Sequence, residues 1–403
     1  MSQTIAPVSK KNRLEILDII RGFAIFGILL ANIQSWSGYK FIPFEHLATL
    51  PHYQYNEILH YLFMFFIDTK FYALFSILFG IGFYLQFKKY KHDQDPFIKT
   101  YRRRLGFLML FGAIHSFFWS GDILLIYGMV GFVFILFRNL PTRKLLILSI
   151  VLYYVWLGYD TLFALYFPHT LEYTYTAYKT YPDITPHALT AIFQNGSFYE
   201  VLQANWHNLY YRYVDLIPSG RLTKVLALFL FGYYLMSINY FQTYAQSKKL
   251  LALYLLLGLF FTYNAYALGG SMATFSHDLH NVIYKALAVT GQIFLALSYV
   301  SILSILYTKE GIKKFLHLFA YVGRISFTSY LMHTLFGYLI FYPFFGGLFG
   351  TMGLLQISLL ALALYTFQII FSFLWLRYFN FGPLEWIWRC LTYNKLFALR
   401  KGD

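Results

Sequence analysis

Arg21 stands inside a run of apolar residues that has to leave water. The stretch from Leu14 to Ile33 reads LEILDIIRGFAIFGILLANI. Its ~20 residues, at ~1.5 Å rise each, match the ~30 Å hydrocarbon layer of a bilayer. A charge within that layer costs several kcal/mol unless it is paired or faces a water-filled cavity. Asp18 lies one helical turn before Arg21, on the same face, so the two can neutralise each other. A chain that opens this way is constrained to be a membrane protein with a polar site inside it.

The remaining sequence obeys the same constraint. Of its 403 residues, 59% are hydrophobic, 22% aromatic and 12% charged, with a mean hydropathy of +0.53. Soluble domains average about 25% charged residues. The expected fold class is an all-α integral membrane protein, a polytopic helical bundle forming one membrane domain. Lys10, Lys11 and Arg13 precede a first span too long for a signal-peptide h-region, and no small-residue cleavage site follows. The single cysteine, Cys390, excludes a disulfide framework or a cysteine metal cluster.

Apolar runs predict ten spans, near 14–36, 71–87, 105–119, 122–137, 145–167, 222–240, 250–268, 286–307, 321–342 and 353–376. This gives a five-span half over 1–167, an external segment over 168–221 and a second five-span half over 222–403. With the N-terminus in the cytoplasm, the cytoplasmic segments carry 23 Lys and Arg and the outer loops six, with Arg21, Lys224 and Arg324 in spans. That asymmetry obeys the positive-inside rule and places both termini in the cytoplasm. It also assigns the net charge of +15 to topology, with the lipid bilayer and not nucleic acid as the partner. Two outer segments exceed simple turns. Residues 37–70 hold His46, His52, His60 and an apolar run from Ile58 to Ile67; residues 168–221 predict helices around 186–194 and 197–214. No internal repeat marks the two halves as the inverted repeats of many transporters.

The richest polar run is Arg102-Arg103-Arg104 followed by Gly112-Ala-Ile-His115 and Ser120-Gly-Asp122. His115 lies eleven residues, ~16 Å along a helix, beyond Arg104. A histidine beside a carboxylate is the base-and-orienter pair of acyl transfer. The same residues equally fit a histidine bonded to a carbonyl and an aspartate capping the next helix. Further on, Gly323-Arg324-Ile-Ser326 opens the ninth span, and Ser326, Ser329 and His333 share one face. Gly382-Pro-Leu-Glu385-Trp-Ile-Trp-Arg389 predicts an amphipathic helix with a Glu385–Arg389 pair and with Trp386 and Trp388 in the headgroups. His277-Asp278-x-His280 has loose zinc-ligand spacing in an outer loop; no metal site is expected from it. No dinucleotide fingerprint, P-loop or His-Glu-x-x-His motif is present.

These motifs together resemble a family. Leu17-Asp18-x-x-Arg21-Gly22-x-Ala24, the Leu-Phe-Ser-x-Leu-Phe-Gly stretch at 74–80 and the Arg-Arg-Leu…His115…Gly-Asp122-Ile-Leu run are similar to YeiB-type bacterial membrane proteins. So are Gly323-Arg…Thr328-x-Tyr330-Leu and Gly382-Pro-Leu-Glu-Trp-x-Trp-Arg389. The resemblance covers nearly the whole chain. It implies kinship with the transmembrane acyltransferase superfamily, which includes polysaccharide O-acetyltransferases and heparan-glucosaminide acetyltransferases, and hence a place in the bacterial cytoplasmic membrane. Polysaccharide acetyltransferases carry Arg and His eleven apart on the first span, where this chain has Arg21 and Asn32. The glucosaminide branch has Arg-x10-Asn with its histidine in the following loop, where His46 stands here. YeiB-like proteins usually read Asn-Tyr-Leu-Leu-Gln in the ninth span; this chain reads Ser329-Tyr-Leu-Met-His333.

On this resemblance the expected activity is acyl transfer from cytoplasmic acyl-CoA, above all acetyl-CoA, to a glycan, lipid or small-molecule hydroxyl or amine on the outer side. Arg102, Arg103, Arg104 and Arg324 would meet the donor's phosphates. His115 would be the base or a transient acyl carrier, Asp122 its orienter, Arg21 the partner of the oxyanion or of the pantetheine-phosphate end, held by Asp18, and Asn32 a hydrogen-bond donor to the thioester carbonyl; His46 and His333 are the alternative histidines. The rival reading is a transporter or flippase using Arg21, His115, Asp122 and His333 as a relay. A scaffold or sensor without turnover is the third. Small-residue helix faces allow an oligomer without requiring one.

Overall fold

The computed structural model describes residues 14–42, 44–91, 93–167, 186–214, 216–217, 219–270 and 278–402, and the regular elements among them are all helical. Lys10, Lys11, Arg13, Lys179 and His277, which entered the topology and metal readings, lie outside the described residues. The longer helices are α1 (Glu15–Trp36), α3 (Asn56–Phe66), α4 (Lys70–Phe87), α5 (Gln94–Phe118), α6 (Leu124–Phe134) and α7 (Thr142–Tyr166), after a short α2 (Phe44–Leu47). There follow α8 (Pro186–Asn195), α9 (Phe198–Val214), α10 (Arg221–Ser237), the short α11 (Tyr240–Thr243), α12 (Lys248–Leu268) and α13 (Leu279–Tyr307). The chain closes with α14 (Glu310–Arg324), α15 (Ser326–Phe341), α16 (Leu354–Tyr378) and α17 (Pro383–Tyr393).

Six segments are long and apolar enough to cross a membrane: α1, the stretch Tyr53–Tyr90 containing α3 and α4, α7, α12, α13 and α16. The other expected spans fall on shorter or more polar helices. Arg102, Arg103 and Arg104 lie within α5, while α6, α10 and α15 have 11, 17 and 16 residues. The burial pattern has the sense a membrane demands. Leu253, Leu256, Phe260 and Tyr263 of α12, and Leu359, Leu362, Phe367 and Ile370 of α16, are exposed. Polar groups such as Gln292, Ser298, His333 and Gln368 are buried inside the bundle. In water this arrangement would expose large apolar patches, which lipid would cover.

The hub of the bundle is α1, which packs on α4, α13, α14, α15 and α16. One of these partners, α14, meets it through a glycine on each side. A Cβ on Gly22 would stand 2.0 Å from the Phe319 carbonyl oxygen, and one on Gly323 would stand 1.9 Å from that of Asp18. The backbones of α1 and α14 therefore touch, beside Asp18 and Arg21. Gly80 and Gly232 make the matching contact between α4 and α10, against the carbonyl oxygens of Phe229 and Ile77.

The structure corrects the sequence reading in two places. The ninth span does not run unbroken from 321 to 342, because the chain breaks at Ile325 between α14 and α15. The break is satisfied from outside. Glu385 of α17 accepts the amides of Phe327 at 2.7 Å and Thr328 at 3.1 Å and the Thr328 hydroxyl at 2.6 Å, serving the orphan donors of the new helix. Lys285, expected in an outer loop, lies within α13 and is buried against Asp160 of α7 at 2.9 Å. Trp386 and Trp388 of α17 donate their indole N–H groups to the carbonyls of Phe397 and Arg104.

Candidate active site

The last turn of α5 carries His115, and the corner after it returns Asp122 to the same point. Asp122 Oδ1 is 2.7 Å from His115 Nδ1, and Asp122 Oδ2 accepts the Leu125 amide at 2.8 Å, capping α6. One carboxylate thus both pairs with His115 and caps the next helix, while the two ring nitrogens of His115 meet Asp122 and Thr334 in place of the expected backbone carbonyl. An ionised carboxylate only accepts, so Nδ1 carries the proton and Nε2 of the neutral ring presents a lone pair. That lone pair faces Thr334 Oγ1 of α15 at 2.8 Å. Asp122, His115 and Thr334 are 4%, 3% and 5% exposed, so the chain of three groups is sealed from solvent. A hydroxyl donating to a histidine that is held by a buried aspartate is the arrangement that activates an oxygen nucleophile.

The site has a roof of polar and aromatic groups. Asn205 of α9 donates to the Phe118 carbonyl at 3.1 Å and to the Tyr338 hydroxyl at 2.8 Å, fixing the end of α5 against α15. Trp119 packs on Trp36 from the end of α1 with ring centroids 4.8 Å apart. His333, next to Thr334, points to another side of α15. Gln368 donates through Nε2 to the Ser329 carbonyl, so its Oε1 faces His333 Nε2 at 3.1 Å and accepts its proton. His333 Nδ1 is left as a buried acceptor with no hydrogen-bond partner among the described residues.

A cavity of about 270 Å³ leads toward this site from the side of the basic clusters. Arg21, Arg104, Arg324 and Arg389 line it together with a single carboxylate, Glu385. Its inner wall includes Ile123, Leu124 and Tyr330, the first two adjoining Asp122 in sequence. The Tyr330 ring on that wall lies 5.3 Å from the ring of His115, which does not itself line the cavity. Arg21 reaches the cavity while bonded to Asp18 at 2.9 Å, and is a quarter exposed. Arg104 stacks on Trp388 at 4.1 Å, and the break at Ile325 delivers Arg324 to the same wall. Burial pushes the Glu385 carboxyl pKa above its ordinary value, against the opposing pull of hydrogen bonds from Thr328 and Phe327.

The predicted site residues divide into two groups. His115, Asp122, Arg21, Asp18, Arg104 and Arg324 gather at the cavity or the buried triad, and His333 neighbours Thr334. Arg102 and Arg103 are exposed and do not line the cavity; Arg103 donates to Asn394 at 3.0 Å. Asn32 is half-buried on α1 and off the cavity wall, and His46 is exposed on α2. His280 meets the Leu268 carbonyl at 3.0 Å, and no group of three or more potential ligands for a metal is found among the described residues. Sequence reasoning missed Thr334, Gln368, Asn205 and the Asp160–Lys285 pair. Asp160 carried a usable signal, as a lone carboxylate inside a predicted span. Thr334 carried a weaker one, four residues beyond Tyr330 on the same helical face.

Comparison with known proteins agrees with the family resemblance. Residues 235–395 match the family described as "Protein of unknown function (DUF418)". The chain is 31% identical over 417 residues to the uncharacterized protein YxaH of Bacillus subtilis, covering 97% of this chain and 96% of that one. It is 28% identical over 399 residues to an uncharacterized 39.9 kDa protein in the amylase 3' region of Bacillus acidopullulyticus, covering 98% and 97% of the two chains. It is likewise 28% identical over 393 residues to the uncharacterized protein YeiB of Escherichia coli, covering 93% and 95%. No solved structure matches the chain. End-to-end similarity of this kind, with the motifs of the cavity and the buried pair in place, makes the chain a member of the YeiB-type family that carries the DUF418 region.

Proposed function

We propose that the protein is an integral membrane acyltransferase of the bacterial cytoplasmic membrane, taking the acyl group, above all acetyl, from cytoplasmic acyl-CoA. In this reading the ten apolar segments all span, both termini lie in the cytoplasm, and the acceptor is a hydroxyl or amine presented at the outer side. The observation that carries the reading is the cavity, because it joins two chemistries that acyl-CoA needs together. Four guanidiniums line it, suited to bidentate capture of phosphates. Its inner wall ends at Tyr330, one ring away from a histidine whose Nε2 is prepared to accept a proton.

The roles follow from position. Arg104 and Arg324 hold the nucleotide end of the donor, and Arg21, oriented by Asp18, meets the pantetheine-phosphate end or the developing oxyanion. Asp122 keeps His115 in the tautomer that accepts protons at Nε2. Movement of Tyr330 admits the thioester.

The test is donor binding by the full chain in nanodiscs. A ligand that binds only the folded state stabilises it by RT ln(1 + [L]/Kd), about 2.7 kcal/mol at a hundredfold excess over Kd. Acetyl-CoA is expected to raise the unfolding temperature of the wild type, and Arg104→Ala to need more ligand for the same rise. A wild type indifferent to millimolar acetyl-CoA contradicts the reading and favours the transporter, with Arg21, His115, Asp122 and His333 as its relay.

A further inference from the structure

We propose that Thr334 is the nucleophile of the reaction and carries the acyl group as an ester between donor and acceptor, an inference that rests on the acyltransferase reading. Four threonines within the helices of this bundle turn their hydroxyls to the carbonyl four residues back. Thr100, Thr161, Thr290 and Thr366 do so onto Pro96, Leu157, Ala286 and Leu362 at 2.7–3.0 Å. Thr334 turns its hydroxyl across the bundle to His115 Nε2 at 2.8 Å. Because Asp122 fixes the proton on Nδ1, the Thr334 hydroxyl is the donor in that bond and its hydrogen already points at the base.

A second, independent observation supplies the rest of an acyl-transfer site. The indole N–H groups of Trp36 and Trp119 are buried and donate to no group among the described residues. Buried donors are ordinarily satisfied, so two in one place ask for an acceptor. Both lie at the triad. A Cβ on Gly337, one turn beyond Thr334, would meet the five-membered ring of Trp36 at 2.8–3.0 Å. A Cβ on Gly121, the residue before Asp122, would meet Trp119 Nε1 at 2.6 Å. A thioester carbonyl oxygen placed beside Thr334 is the acceptor these two donors lack, and they strengthen their bonds as that oxygen becomes an oxyanion.

The step balances without a co-reactant. Thr334 Oγ1 attacks the thioester carbonyl carbon and its proton passes to His115 Nε2. The tetrahedral intermediate collapses, the carbon–sulfur bond breaks, and the proton leaves with the sulfur as free CoA thiol. In the second half the acceptor's hydroxyl or amine gives its proton to Nε2 and attacks the ester carbon. The carbon–Oγ1 bond then breaks, and Thr334 recovers its proton.

The experiment uses full-length protein in nanodiscs with acetyl-labelled acetyl-CoA and no acceptor, quenched in denaturant. Free thiol and the position of the label are read in parallel. The expected result is thiol release with the label on the peptide holding Thr334, removable by hydroxylamine. Thr334→Ser keeps both signals, while Thr334→Val loses the label and slows thiol release by at least about a hundredfold. Trp36→Phe and Trp119→Phe each slow release by roughly ten- to a hundredfold without moving the label. Undiminished release by Thr334→Val, or a label on His115 in the wild type, overturns Thr334 as nucleophile and leaves the acyltransferase standing. No thiol release from any variant, wild type included, overturns both. Mapping the wild-type label decides the matter even where Thr334→Val does not fold.

Discussion

Replacing Gly323 by alanine tests whether the contact between α1 and α14 sets the geometry of the cavity. The new Cβ would stand 1.9 Å from the Asp18 carbonyl oxygen. The preferred non-bonded separation is roughly 3.5 Å, so the two backbones must part by about 1.5 Å. Neither atom is the end of a flexible side chain, and the strain has no cheap outlet. Overpacking of this kind costs about 1–3 kcal/mol, while alanine returns up to about 1 kcal/mol of helix propensity. With the full return, the net expectation is a loss of up to about 2 kcal/mol. Gly106 supplies the contrast, since a Cβ there meets nothing within 4 Å and the residue is exposed on α5. Gly106→Ala is expected to stabilise by about 0.5–1 kcal/mol. Unfolding of both variants in the same detergent, followed by tryptophan fluorescence, gives the comparison. Because Asp18 and Arg21 ride on the displaced segment, Gly323→Ala also weakens acetyl-CoA binding. A Gly323→Ala protein as stable as Gly106→Ala refutes the backbone contact and with it the reasoning that fixes Arg21 in the cavity.

Three other outcomes follow from particular contacts. Asp122→Asn keeps the shape of the corner but allows the wrong tautomer of His115, so thiol release from acetyl-CoA falls by about 10³–10⁴ with little change in donor affinity, read as a split between kcat and KM. Arg104→Ala removes a guanidinium from the cavity wall and its stacking on Trp388, so KM for acetyl-CoA rises and its dependence on salt flattens, as a titration at low and high ionic strength checks. Lys285→Met strands the buried carboxylate of Asp160 and destabilises by about 3–5 kcal/mol, whereas Lys285→Met with Asp160→Leu recovers most of the loss; equal stability of the single and double variants contradicts a buried ion pair.

How much of this was legible in the sequence depended on the range over which each residue acts. Asp18 and Arg21 lie one turn apart, so helical geometry alone brought them together, and they meet at 2.9 Å. His115 and Asp122 are seven residues apart around a corner marked by Gly121, and that too is local. Thr334 reaches His115 across 219 residues, and no periodicity encodes which helix α15 will face. The break at Ile325 was hidden for the same reason. The carboxylate that satisfies it is Glu385, 58 residues from Phe327, and along the sequence the apolar run reads as one helix. The arginine cluster shows the reverse error. Arg102, Arg103 and Arg104 are alike in sequence, yet a helix turns them to different sides, and only Arg104 faces the cavity. The helices long and apolar enough to cross a membrane, such as α1 and α16, were readable because apolar content over a span is a property of the segment itself.

The central claim is that a buried histidine cleaves a thioester brought from the basic side of the bundle. It is tested most directly by free-thiol release from acetyl-CoA in nanodiscs, with wild type and His115→Ala at equal loading and equal fold. The account predicts measurable release by the wild type and a drop of at least about a thousandfold in His115→Ala. Release at the wild-type rate from well-folded His115→Ala contradicts it.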